Sequence, residues 1–200
     1  DAALPMAPQA DQSAAASGKA GTAASGEPDA QQLALNLLDA SADATLEVDS
    51  PAFGENQSIP VVYSGYGEDI SPPLSWSAGP EGTRSYALLL EDPDAAEPKP
   101  FVHWIMYNLP PEARGLREGI PGAPRLELPD GAMQGQNSRG STGYVGMKPP
   151  AGPAHRYHVQ VLALDQALDL PAGAGREAVL DAVKGHVLAA GDLVGTFQKP

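Results

Sequence analysis

Short apolar runs bounded by proline, glycine, serine or aspartate dominate the middle of the chain. They are rich in aromatic and β-branched residues and predict six strands: Thr45 to Val48, Ile59 to Tyr63, Leu74 to Trp76, Tyr86 to Glu91, Phe101 to Leu109 and Tyr157 to Asp165. In the fifth, His103, Ile105 and Tyr107 alternate with Trp104 and Met106. Both faces are largely apolar, so the pattern predicts a central strand buried on both sides.

One later stretch has a helical period instead. Between Arg176 and Ala190, Val179, Val183 and Val187 recur one turn apart. Gly191 suits a C-terminal cap for this helix. Together the patterns predict a mainly β domain with one or two peripheral helices.

The first 45 residues have a different character and predict a separate extension. Residues 1–26 contain ten alanines among Ser, Gly, Gln and Pro, and they offer no apolar stripe to bury. Only Leu33, Leu37 and Leu38 form a short apolar helical face. We therefore divide the chain into an acidic extension, 1–45, and a globular domain, 46–200. The extension is either a linker or tail, or a segment that docks onto a partner protein.

Composition narrows the class of protein. The 21 Pro and 22 Gly favour short strands and many turns. A formal net charge of −13 argues against nucleic-acid binding, and the absence of Cys excludes thiolate chemistry. No apolar run approaches the roughly 20 residues of a membrane span. Because the chain begins with Asp1 rather than Met, we expect an exported, periplasmic bacterial protein whose signal peptide has been removed.

Candidate chemistry begins at the turn Asp92-Pro93-Asp94, where proline holds two carboxylates in a stiff conformation at a strand end. An ordinary Asp-Pro turn is the simplest interpretation. However, the strand that carries His103 follows closely, and a hairpin-like return could bring its imidazole to these carboxylates. Such a contact would fix the tautomer of the ring.

A second polar stretch begins the sixth strand region. Alternation places His155 and Tyr157 on one face and Arg156 and His158 on the other. The two histidines therefore cannot chelate one metal. His155 and Tyr157 are the pocket candidates, His158 is interpreted as structural, and Arg156 is a candidate partner for Asp94.

The loop before this strand is rich in glycine and proline. Four glycines between residues 140 and 152 surround Tyr144 and Pro149-Pro150. Glycines let backbone N–H groups approach an anion, and prolines stiffen a loop. By itself this is a weak signal.

These pieces carry a family resemblance over residues 46–199. The chain resembles the bacterial branch of the phosphatidylethanolamine-binding protein family, also called the Raf kinase inhibitor protein family. The matching segments are Ile70-Ser71-Pro72-Pro73-Leu74-Ser75-Trp76, Asp92-Pro93-Asp94-Ala95, Val102-His103-Trp104, Tyr107-Asn108-Leu109-Pro110, Gly143-Tyr144, Pro149-Pro150, His155-Arg156-Tyr157, Gly185-His186-Val187-Leu188-Ala189 and Gly195-Thr196-Phe197.

The resemblance implies a Greek-key β-sandwich with a small pocket for phosphate-like head groups. Its pocket positions would be Asp92, Asp94, His103, Pro150, His155 and Tyr157, with Tyr144 as a neighbour. Three positions depart from the family pattern: Ala96 replaces a proline, and Met147 and Lys148 replace smaller residues at the rim. Lys148 adds a positive charge that either favours an anion or pairs with one of the surplus acids.

Three functions are weighed. The first is a non-enzymatic binding protein, without cofactor, for a small anion or phospholipid head group, in which His103, His155 and Tyr157 donate hydrogen bonds and Asp92 orients an imidazole. The alternative is an accessory subunit of an exported complex that docks partly through residues 1–45. A third possibility is a metal hydrolase that uses Asp92, Asp94, His103 and His155 as ligands, and the chain shows no separate general base for it. Kinase inhibition, which belongs to the eukaryotic branch, does not transfer on fold alone.

Overall fold

The computed structural model describes residues 30–38, 44–96 and 100–200. Nine strands run through them: β1 (Ala44–Thr45), β2 (Val48–Asp49), β3 (Leu74–Trp76), β4 (Ser85–Asp92), β5 (Phe101–Leu109), β6 (Gly115–Leu116), β7 (Met133–Gln134), β8 (His155–Leu164) and β9 (Val187–Phe197). Two short α-helices, α1 (Ala34–Leu37) and α2 (Arg176–Val183), and two 3₁₀ turns, Ala30–Gln32 and Val61–Tyr63, complete the secondary structure. None of the helices in these ranges is both long and apolar enough to span a membrane.

The strands form two sheets. The larger has the order β1-β9-β8-β4-β5-β7, and every neighbouring pair is antiparallel except β1 with β9. The smaller has the order β2-β3-β6. The predicted fold class, a mainly β sandwich with few helices, is confirmed.

Two apolar cores lie on opposite faces of the large sheet. The front core fills the space toward the small sheet and includes Trp76, Leu88, Trp104 and Tyr157. The rear core lies under α2 and residues 33–38 and includes Leu89. Burial on both faces explains why the long strands are nearly continuous apolar runs.

The helix predicted from Arg176 to Ala190 is wrong in its second half. The helix ends at Val183, and Gly185 follows with a φ of +77° that glycine adopts readily. From Val187 the chain is strand β9, which pairs with β8. Valines spaced four residues apart fit both a helix and a strand locally, and the long antiparallel pairing with β8 decides for the strand.

Two other predictions at short apolar runs also differ from the structure. The strand expected over Thr45 to Val48 is instead the two short strands β1 and β2, which belong to different sheets. The strand expected over Ile59 to Tyr63 is instead the 3₁₀ turn Val61–Tyr63 after Pro60. The two-residue strands β6 and β7 were not predicted. Strands this short carry too few residues to show a period.

A β-bulge changes the direction of one functional side chain. Consecutive residues of β4 pair with Trp104 and then with Val102, which leaves His103 as an extra residue. Val102 consequently joins Ile105 in the rear core. His103 instead turns to the front, where its ring meets the edge of Tyr157. The predicted grouping of His103 with Ile105 is therefore wrong, because strict alternation does not hold across a bulge.

Part of the predicted extension lies on the domain itself. Leu33 and Ala34 are buried, and Ala34 belongs to the rear core, whereas Leu37 is 45% exposed. The expectations about residues 1–29 fall outside the described residues. Of the predicted apolar face, Leu33 is thus the most buried member, and Leu38 packs partly against the same core.

Candidate functional site

A cavity of about 250 Å³ opens on the front side, where β4 ends and β5 and β8 begin. Its lining combines acidic, basic, aromatic and proline residues. The described lining residues are Asp92, Ala95, Ala96, Phe101, His103, Arg139, Gly146, Lys148, Pro149, Pro150, His155 and Tyr157. Five of the seven candidates from the sequence thus meet at one place.

Asp92 and His155 form a pair in the wall of this cavity. Asp92 is the last residue of β4, and its Oδ2 accepts a hydrogen bond from Nδ1 of His155 at 2.8 Å. The backbone N–H of Asp94 donates to Oδ1 of Asp92 at 2.8 Å and closes the turn. Burial raises the pKa of the Asp92 carboxyl, while the bond from His155 acts in the opposite direction. The carboxylate fixes the imidazole so that its Nε2 remains for a ligand.

His103 is held by a different partner. Its Nδ1 lies 2.7 Å from the carbonyl oxygen of Val145, and the N–H of Val145 donates to the carbonyl oxygen of His103 at 2.9 Å. A carbonyl only accepts, so Nδ1 carries a proton. Burial lowers the pKa of His103 to about 4, although the bond to Val145 acts in the opposite direction. The ring is therefore neutral at neutral pH, and Nε2 offers a lone pair.

The expected contact between the Asp-Pro-Asp turn and His103 does not form. The imidazole that reaches Asp92 belongs to His155, 63 residues away in the chain. Val145 takes the position next to His103 that a carboxylate was expected to occupy. The hairpin argument considered only neighbouring strands, whereas β8 lies on the other side of β4.

Tyr157 supplies a buried hydroxyl that makes no well-formed hydrogen bond to a described residue, although the Asp92 carboxylate lies near it. Its ring stacks on His155 with centroids 6.4 Å apart, and it meets His103 edge-on at 5.3 Å. Burial and the nearby charge of Asp92 raise the pKa of Tyr157 well above its ordinary value. The phenol therefore stays protonated, and a buried donor without an acceptor is costly.

Two cations lie at the rim. Arg139 and Lys148 are exposed and form no ion pair within the described part of the chain. The Lys148 ammonium lies 5.7 Å from the ring centroid of Tyr66, over its face. The chain as a whole has a net charge of −13. This cavity instead has two basic side chains beside one buried acid, so its local charge is positive. Such a site attracts anions at short range.

At Gly146 the backbone of the cavity wall lies close to Asp69 and Gly65. Its N–H donates to Oδ1 of Asp69. A Cβ at this position would lie 2.6 Å from that oxygen and 2.7 Å from the backbone nitrogen of Gly65. Only glycine fits without moving the backbone.

Two predicted site residues lie outside the cavity lining. Asp94 forms an ion pair with Arg156, with Nη2 2.6 Å from Oδ1 and Nε 2.9 Å from Oδ2. Burial by itself would raise the pKa of Asp94, but the bonds and charge of Arg156 outweigh it and lower the pKa. The Tyr144 hydroxyl donates to the carbonyl oxygen of Tyr63 and is engaged within the fold.

The departures from the family pattern have different locations. Ala96 and Lys148 line the cavity. Met147 is fully buried in the front core, against the Tyr144 hydroxyl, so it does not shape the rim as expected. His158, interpreted as structural, bonds through Nδ1 to Oδ2 of Asp192 at 2.8 Å.

Sequence reasoning missed Arg139, Phe101 and Gly146 as lining residues. Arg139 lies in a loop after β7 and carries no motif that would mark it. Phe101 was assigned only to a strand, although its ring lies 4.7 Å from that of His103.

Over the described ranges, no group of three or more His, Asp or Glu residues is placed to hold a metal ion. The metal-hydrolase alternative therefore gains no support.

Comparison with known proteins identifies similar chains. A family model described as phosphatidylethanolamine-binding protein matches residues 49–198. A UPF0098 protein of Methanothermobacter thermautotrophicus is 47% identical over 148 residues, which cover 74% of this chain and 95% of that protein. The crystal structure of a phosphatidylethanolamine-binding protein homologue from Chlamydia trachomatis has a TM-score of 0.70 at 38% identity, covering 78% of this chain and 99% of that one. The crystal structure of Escherichia coli YbcL, described as a new member of the mammalian family, has a TM-score of 0.71 at 28% identity. The match covers 78% of this chain and 100% of that one.

Proposed function

Because this chain belongs to the phosphatidylethanolamine-binding protein family, we propose that it is a non-enzymatic binding protein whose front cavity takes a small anion. The ligand class is a phosphate or carboxylate group, free or as part of a head group. One observation carries the proposal: the buried Tyr157 hydroxyl makes no well-formed hydrogen bond to a described residue, yet it lines a cavity beside two histidines. An anionic oxygen is the acceptor that it lacks.

The donors around this position are complementary to an oxyanion. Tyr157 offers an O–H. His155 has its Nε2 left for a ligand, because Asp92 accepts from its Nδ1. The positive charges of Arg139 and Lys148 stand at the mouth. Hydrogen bonds between a charged donor and an anion are roughly twice as strong as neutral ones.

His103 has a role different from the donor role first expected. Since its Nδ1–H is bound to Val145, a neutral His103 presents only an acceptor to a ligand. A ligand that carries its own proton suits this atom best. Monoprotonated phosphate groups or an ammonium next to a phosphate combine an acceptor and a donor, whereas acetate has only acceptors. We therefore infer a preference for phosphate-type groups over simple carboxylates.

The lining also favours binding over turnover. The described lining residues include neither Ser nor Thr, and the whole chain lacks Cys. The acid Asp92 is already engaged by His155. Nucleophilic catalysis needs a nucleophile within reach of a free base, and these residues do not offer that pair.

Histidine NMR tests the proposal directly, because the chain has four histidines. The protein is titrated with phosphate, phosphoethanolamine and acetate while the ring ¹⁵N shifts are recorded. We expect saturable shifts of His103 and His155, larger for the two phosphates than for acetate. His186 bonds to Asp165 and lies outside the cavity lining, so it serves as internal control. Unchanged His103 and His155 at millimolar ligand would refute the anion site.

A further inference from the structure

A polar groove lies behind the large sheet, opposite the front cavity. It is formed by Glu91, Gln160 and Arg176, and we call it the rear groove. Glu91 and Gln160 are fully buried beneath residues 31–38. Arg176 Nε donates to Oε1 of Glu91 at 2.9 Å, which neutralises the buried carboxylate. Each of these side chains also has a polar atom directed at the segment that covers it.

The rear groove contacts main-chain atoms of the segment that covers it. The N–H of Ala34 donates to Oε2 of Glu91 at 3.1 Å, and the N–H of Leu35 donates to Oε1 of Gln160 at 3.0 Å. Arg176 Nη2 donates to the carbonyl oxygen of Gln32 at 2.6 Å. Hydrogen bonds to the backbone of a peptide contribute affinity whatever its sequence. Specificity then depends on where the side chains of the peptide fit.

Selection comes from two adjoining positions. Ala34 is 0% exposed and Leu33 is 4% exposed, whereas Leu37 faces largely outward. Ala34 is fully buried within the apolar rear core, so a large or charged side chain at this position would not fit. The groove therefore fits a short peptide with a large apolar residue followed by a small one.

We propose that the rear groove is a peptide-binding site and that residues 30–38 are its tethered ligand rather than an integral part of the sandwich. The segment belongs to neither sheet, and it is attached to the domain by three hydrogen bonds to the groove and by the burial of Leu33 and Ala34. By contrast, β8 and β9 are paired over ten positions. Short peripheral segments open at lower free energy than such ladders.

The partner that fits the opened groove is the same segment from a second copy of this chain. It carries identical side chains, so its complementarity is already displayed by the intramolecular complex. Exchange of an identical element between two copies is a low-cost route to association. The tethered segment competes with an incoming one, since a short tether gives a millimolar effective concentration.

The test uses the full chain and a fluorescent peptide of residues 30–38 that stands for the second copy. In the variant Ala34→Glu the segment should leave the groove, and fluorescence anisotropy should show that the free peptide binds. Because the tether no longer competes, binding should be at least about tenfold tighter than to the unaltered protein.

Leu37→Glu, at an exposed position, should behave like the unaltered protein. A peptide that carries Ala34→Glu should not bind. Equal binding of both peptides, or none to a folded Ala34→Glu protein, would overturn the proposal.

Hydrogen exchange on the unaltered protein shows whether residues 30–38 open separately from the domain. This test does not depend on whether Ala34→Glu folds. The amides of Ala34 and Leu35 should exchange through a local opening, at least about tenfold faster than the amides of β8. If they exchange only at the rate of the β8 amides, the segment opens with the whole domain and is not a tethered ligand.

Discussion

Glu91 and Asp92 are consecutive carboxylates at the end of β4 that serve opposite faces of the large sheet. Asp92 accepts from His155 in the wall of the front cavity, and Glu91 pairs with Arg176 in the rear groove. Successive residues of a strand point to opposite sides. One strand end therefore anchors both proposed binding surfaces.

The pair of Asp92 and His155 should govern anion affinity. Asp92→Asn keeps the shape but removes the carboxylate charge that holds the His155 ring, so phosphate binding should weaken by roughly 10- to 100-fold, as expected for one hydrogen bond with a charged partner. Isothermal titration calorimetry measures the change. Asp94→Asn is the matched control, since Asp94 pairs with Arg156 outside the cavity lining. Equal losses in both variants would contradict the assignment.

Two tyrosine hydroxyls should give opposite results when removed. Tyr157→Phe deletes a buried hydroxyl that makes no well-formed hydrogen bond to a described residue, so stability should stay constant or rise while phosphate affinity falls about tenfold. Tyr144→Phe deletes a donor to Tyr63, so the free energy of unfolding should fall by about 1 kcal/mol with affinity unchanged. Urea unfolding and calorimetry separate the two. A destabilised Tyr157→Phe protein with normal affinity would show that this hydroxyl is structural.

The pH dependence of stability should reveal the buried His103. Its pKa is about 4 in the folded state and 6.5 ordinarily, so the unfolded chain binds the proton more readily. Stability contributed by the neutral ring is complete above pH 6.5 and is lost as the pH falls toward 4. Over that window the loss is at most about 3 kcal/mol.

The variant His103→Asn isolates this contribution, because an amide can still donate to Val145 but does not titrate. Urea unfolding at pH 7 and pH 5 should show a steeper loss for the unaltered protein than for the variant. Asp92, whose pKa is raised, has the opposite effect on stability but is present in both proteins. Parallel pH profiles would contradict the buried neutral state.

Gly146 should tolerate no side chain. In Gly146→Ala the new methyl would contact Asp69 and the backbone of Gly65, and overpacking of this kind costs about 1–3 kcal/mol. Phosphate affinity should fall too, because the cavity wall must move. Gly54→Ala is the control, since its Cβ would meet only Gln57 Cγ at an ordinary 3.5 Å. Thermal unfolding and phosphate titration of both variants check this.

The rim cations should attract the anion electrostatically without a direct hydrogen bond to it. Arg139→Gln and Lys148→Gln should each weaken phosphate binding by roughly two- to fivefold at low ionic strength, and the difference should shrink with added salt. Lys184→Gln, beside Asp181 on the surface, should have no effect. A loss that salt does not alter would indicate direct contacts instead.

Part of the site could be predicted because its residues adjoin strand ends. Asp92 follows an apolar run, and His155 and Tyr157 alternate at the start of another, so local pattern was sufficient to nominate them. Arg139 could not be nominated, since its loop reaches the cavity only through folding. Asp94 and Tyr144 were nominated with the rest, but their contacts with Arg156 and Tyr63 lie outside the lining.

The amino-acid sequence by itself determined the fold class, the family and the long buried strands, because these depend on period and composition within short windows. The tertiary structure alone decided three matters. It ended the helix at Val183, turned His103 to the front through a bulge, and paired Asp92 with His155. In each case the deciding contact comes from another strand: β8 for the end of the helix and for Asp92, and β4 for the bulge at His103. Local preference is nearly balanced there, so the energy of pairing and burial with that strand selects the outcome.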